Sequence, residues 1–151
     1  METVLERIAD ALNDRLETVD FINSVIRPKR IETAAIDDRT ITLTQGESTI
    51  NDGLSCPGNP PAVAYDQVFI IAGELRPSET EDTPIDTIRN RFDGEIRKAI
   101  ANSLTWYSFG GLAINSQLGA PAVLRDAENV SVSVELLVQY RVSETDPYQV
   151  R

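Results

Sequence analysis

A chain of 151 residues with 24 acidic and 14 basic side chains carries a formal charge of −10. Its 41% hydrophobic content and its length suit one globular domain with a real core, and its acidity argues against nonspecific binding to nucleic acid or anionic membrane. There is no histidine, so Ser-His-Asp and Cys-His catalysis and imidazole zinc sites are excluded, and the one cysteine, Cys56, allows no internal disulfide or thiolate cluster.

The first element is a helix. Val4, Leu5, Ile8, Ala11, Leu12, Leu16 and Val19 recur at spacings of three and four, giving an apolar stripe over about 18 residues. Glu2, Glu6 and Asp10 break any apolar leader, so no secretory signal is expected, and no run is long enough to span a bilayer. Residues 22–33 are extended in character, and Pro28 makes them an edge strand or two short pieces. Asp37-Asp38 suits a turn before the alternating strand Thr40–Thr44.

Residues 45–62 hold three glycines and three prolines and read as one long loop. Val68–Ala72 is apolar on both faces, which predicts a central strand covered on both sides. After an acidic connection, Thr83 as cap and Pro84 in first position open a second helix with a stripe of Ile85, Ile88, Phe92, Ile96, Ala99, Ile100 and Leu104, ending near Ser103. Gly94 inside it suggests close packing. Trp106, Tyr107 and Phe109 are core or an interface anchor, with core favoured, and Gly110-Gly111 marks a turn. A short strand and a turn at Gly119-Ala-Pro121 precede the clearest strand, in which Val130, Val132, Val134, Leu136, Val138, Tyr140 and Val142 share one face. One end of that strand is expected to project beyond the core. The extended tail 144–151 then leaves the sheet. The sum is a single α+β domain over 1–151, a mixed or antiparallel sheet of four to five strands packed on two main helices.

Chemistry is sparse. No phosphate loop is present. The acidic cluster Glu79, Glu81, Asp82 and Asp86 lacks calcium-loop spacing and reads as solvated charge. Cys56 has no basic residue near it in sequence and reads as a bystander. Basic residues form two islands, Arg27, Lys29 and Arg30, then Arg89, Arg91, Arg97 and Lys98. Residues 21–32 and 87–101 each sum to +2. Two readings stay open for them: solvated faces with local ion pairs, or a positive patch that meets an acidic neighbour. No catalytic residue, cofactor or metal is expected.

The element order and the ending Val138-Gln-Tyr-Arg-Val-Ser-Glu-Thr-Asp-Pro-Tyr148 resemble the tail terminator (tail completion) proteins of tailed bacteriophages and related neck and head-tail joining proteins. The resemblance implies a structural virion protein, not an enzyme, that forms a hexameric ring. The ring would cap the tail tube, meet the neck connector and, in contractile tails, the sheath, and let DNA pass without specific binding. It implies a place in the virion tail or neck, after assembly in the host cytoplasm. Arg27, Lys29, Arg30, Arg89, Arg91, Arg97, Asp146, Pro147, Tyr148 and Gln149 are the candidate interface residues. The alternatives are another adaptor of the head-tail junction, or a small carboxylate-based enzyme or ligand-binding domain.

Overall fold

The computed structural model describes residues 1–19, 24–27, 40–75, 84–125 and 130–151. Lys29, Arg30, the Asp37-Asp38 turn, Thr83 and the acidic run 79–82 lie outside them. The elements in order are helix α1 (Val4–Glu17), strands β1 (Ser24–Ile26), β2 (Thr40–Ile50) and β3 (Ala62–Leu75), helix α2 (Ile85–Ile100), a 3-10 segment η1 (Trp106–Gly111), and strands β4 (Asn115–Leu118), β5 (Ala122–Arg125), β6 (Val130–Ser143) and β7 (Asp146–Val150). The α+β class and the mixed sheet are those expected from the sequence.

The sheet runs β1-β2-β3-β6-β4, and β5 and β7 join the same side of β6 as further partners. Its spine is the pair β3 and β6, in unbroken antiparallel register from Ala62↔Ser143 to Leu75↔Val130. Among the described residues seven strands arise rather than four to five, because three short ones share the other edge of β6: β5 at Val130–Ser133, β4 at Leu136–Gln139 and β7 at Val142–Ser143. Only β1, among the described residues, is parallel to its neighbour, matching Thr40–Thr42 of β2.

Strand alternation separates the two faces of this sheet. Ile41, Leu43, Phe69, Ile71, Val132, Val134, Leu136 and Val138 are buried beneath Val4, Ile8, Leu12 and Leu16 of α1 and Ile88, Phe92, Ile96 and Ile100 of α2. Full burial of a side chain such as Phe69 or Phe92 is worth about 1.5–3 kcal/mol. Among the described residues the opposite face is not covered as expected. Val68, Ile70 and Leu137 are half-buried there and Glu135 is exposed, because both helices pack on one side.

Several boundaries move for local reasons. In α1 the Thr3 hydroxyl accepts the Glu6 amide at 3.2 Å, capping the helix, which stops at Glu17 after 14 residues rather than 18. In α2, Pro84 holds extended backbone and occupies the cap position, not the first helical one, and the helix ends at Ile100. The long loop contracts to residues 51–61. β2 continues to Ile50 through a register shift between Gln45 and Ser48, a bulge that absorbs Gly46. Gln67, only 2% exposed, donates to the Gly46 carbonyl at 3.2 Å, so the irregularity is satisfied from within. The closing segment does not leave the sheet. It reverses at Glu144-Thr145 and returns as β7, with the Arg151 amide donating to the Arg141 carbonyl at 3.1 Å.

Two glycines prove opposite to each other. Gly94 has open space where a Cβ would stand, so the close packing expected there is absent. A Cβ on Gly73 in β3 would overlap the Phe92 ring, so the intimate helix–sheet contact lies there.

Candidate functional site

Among the described residues, four of the basic side chains singled out in the sequence, Arg27, Arg89, Arg91 and Arg97, are engaged inside the chain. Arg27 donates to Glu6 at 2.7 Å and to Asp10 at 2.9 Å, tying the end of β1 to α1. This bond holds the Glu6 carboxyl below its usual range, against the opposing pull of burial, and pushes Arg27 up. Arg97 donates to both carboxylate oxygens of Asp93 at 3.0 Å and to the Gly119 carbonyl. Arg89 bonds Asn90 and lies 3.8 Å from Asp86. Arg91 and Lys98 are both exposed, and Arg91 also has a partner. Local pairing thus accounts for Arg27, Arg89 and Arg97. Among the described residues no group of three or more His, Cys, Asp or Glu side chains is placed to hold a metal.

The aromatic trio divides between the two readings. Phe109 is buried, Trp106 packs against the core and Tyr107 is 40% exposed. Phe109 takes a left-handed conformation (φ 48°, ψ 47°), followed by Gly110 and Gly111 at positive φ. Strain of this kind on a bulky residue costs about 1–3 kcal/mol and persists only where its surroundings impose it. Arg15 supplies that restraint. Its guanidinium lies 4.2 Å above the Phe109 ring and donates to the carbonyls of Ile100 and Trp106 at 3.1 and 3.0 Å. The burial that makes these bonds effective lowers the Arg15 pKa.

A different region gathers the surface features. At the end where β2 finishes and β6 turns into β7, residues 47–50 and 147–150 are all exposed. Ile50 is 61% exposed, and Tyr148 and Val150 are each 40% exposed. Asp146 accepts the Tyr148 amide at 3.0 Å in a side-chain turn that starts β7. Beneath this end, Tyr65 and Tyr140 stack with ring centroids 5.5 Å apart. They floor a recess of about 310 Å³ that Leu5, Val142 and Pro147 also line. Burial, reinforced by Tyr65, raises the Tyr140 pKa. Of the candidate interface residues, Asp146, Pro147, Tyr148 and Gln149 come together here; the described basic ones, Arg27, Arg89, Arg91 and Arg97, lie elsewhere.

Sequence reading missed the neighbour of Cys56. Arg141, 85 residues away in sequence, donates to the Cys56 sulfur at 3.1 Å and to the Leu54 carbonyl at 3.1 Å. The long strand β6 brings it there, and no local pattern signals a contact that distant. The loop is held from the other side by Asn51, whose amide donates to Asp66 at 3.0 Å, and Gln139 donates to the same carboxylate at 3.2 Å.

No family model matches this chain, and no curated protein is significantly similar to it.

Proposed function

We propose that this protein is a ring-forming tail terminator of a tailed bacteriophage, a structural joining protein that caps the tail tube and meets the neck while DNA passes through. The observation that carries the reading is the exposed end of the sheet. There the end of β2 and strand β7 present exposed apolar side chains, and backbone edges that pair with no further strand among the described residues, to a partner. Such edges attract another chain and are normally blunted in proteins that stay alone. The resemblance in element order and in the Asp146-Pro147-Tyr148 ending supports the same reading. An acidic ring suits passage of DNA, since each basic contact with phosphate would add salt-sensitive drag.

Native mass spectrometry of the purified chain, alone and with the cognate tail-tube protein, tests this. The expected result is a hexamer that binds the tube end. A chain that stays monomeric at high concentration and ignores tube protein sinks it. Binding to the portal-side connector alone would move the assignment to a neck adaptor.

A further inference from the structure

The two edges of the sheet that stay open among the described residues are complementary. β2, β3, β6 and β7 alternate in direction, because each is antiparallel to the next. A second copy brought alongside by rotation about an axis along the strands therefore sets its β2 antiparallel to β7 of the first. The alternation continues across the junction without interruption. β1 covers only Thr40–Thr42 of β2. From Leu43 to Ile50 the outer side of β2 pairs with no strand among the described residues, and β7 likewise pairs only with β6.

Side chains select a register. With Tyr148 opposite Ile50, Gln149 falls opposite Thr49, Val150 opposite Ser48 and Arg151 opposite Glu47. Two exposed apolar side chains then meet, two polar ones face each other, and the one charge on each segment meets its opposite. Pro147, which has no amide to donate, falls past the end of β2. Directly opposed residues in such a pair have Cβ atoms about 4.5–5.5 Å apart, close enough for all these contacts. A two-fold contact of β7 with another β7 can set Asp146 opposite Arg151, but it brings no contact to Glu47 or to the exposed Ile50 of β2.

We infer that β7 of one copy adds to the Ser48–Ile50 edge of β2 in the next copy, with Arg151 over Glu47, and that this head-to-tail strand addition builds the oligomer. It rests on the ring reading above and names its joint. The occupant is a second copy because both halves of the contact lie on this one chain. A contact of this type, made from two different surfaces, closes into a ring when its rotation allows.

Cross-linking tests it. In a Cys56→Ser background, Thr49→Cys with Gln149→Cys should form intermolecular disulfides on oxidation and give a ladder of bands up to the closed ring on a denaturing gel. Neither single-cysteine variant should link. Glu47→Arg and Arg151→Glu, both at exposed positions, should each weaken association about two- to five-fold per contact, and the double exchange should restore it. Assembly without the 49–149 link, or dimers from Gln149→Cys alone, overturns this joint and leaves the terminator reading standing. A ring linked at 49–149 that ignores tail-tube protein keeps the joint and removes the terminator reading. A strict monomer removes both.

Discussion

Glycine is the residue whose meaning changes most between sequence and structure. Gly73 and Gly94 differ in what a single methyl would meet: the Phe92 ring at Gly73, open solvent at Gly94. Gly73→Ala should therefore destabilise the protein by about 1–3 kcal/mol, the usual cost of overpacking. Gly94→Ala should stabilise it by up to about 1 kcal/mol, the difference in helix propensity. Urea melts of the two variants check both signs at once. Sequence alone misread Gly94 and was silent on Gly73, because a glycine within a helical stripe resembles a packing contact, while a glycine in a strand gives no hint of which side chain lies above it. The buried valines of β6 were legible for the opposite reason: strict alternation over 14 residues has one structural solution.

At the scale of elements, two arginines hold separate segments together. Arg15 joins α1 to the carbonyl end of α2 and to η1. Arg15→Met keeps most of the apolar stem but leaves two carbonyls without their charged donor. A loss of about 2–3 kcal/mol is expected, read as a lower urea midpoint at unchanged slope. Arg27 ties β1 to α1 through Glu6 and Asp10. These side chains are about a third to a half exposed, so the pair contributes no more than about 1 kcal/mol. Because the Glu6 pKa is lowered in the folded state, its contribution is present above the usual carboxylate pKa and disappears as pH falls through the depressed value. Glu6→Gln should thus be less stable than the parent at neutral pH, and the two stabilities should converge in acid. A constant gap across the titration would refute this role. Neither tie was legible beforehand. The pattern of charges along a chain shows which residues share a helix face, but not which distant carbonyl or carboxylate each will meet.

The whole molecule shows how far local signals carry. Both main helices, the three principal strands and the α+β class followed from periodicity. The misplaced pieces were those governed by a partner elsewhere: the loop that became the end of β2, and the tail that became β7. Glycine, proline and polar composition at 45–62 weighed against a strand, and pairing to β3 overrode it across a bulge. The candidate site suffered the same way. The ending 146–149 was flagged for its resemblance, yet its edge position depends on a turn at Glu144-Thr145 that composition leaves ambiguous. Net charge of −10 was informative as a sum, while its sorting proved to be spent on internal ties at Arg27 and Arg97.

One feature of the spine bears on how the molecule would carry a load. β3 and β6 are bonded without a break from Ala62↔Ser143 to Leu75↔Val130, and in an antiparallel pair the hydrogen bonds lie perpendicular to the strands. A pull along the strands must shear all those rungs together, whereas a pull across the sheet opens them one after another. The domain is therefore stiff along its strands and compliant across them, a mechanical grain set by a single pair of strands.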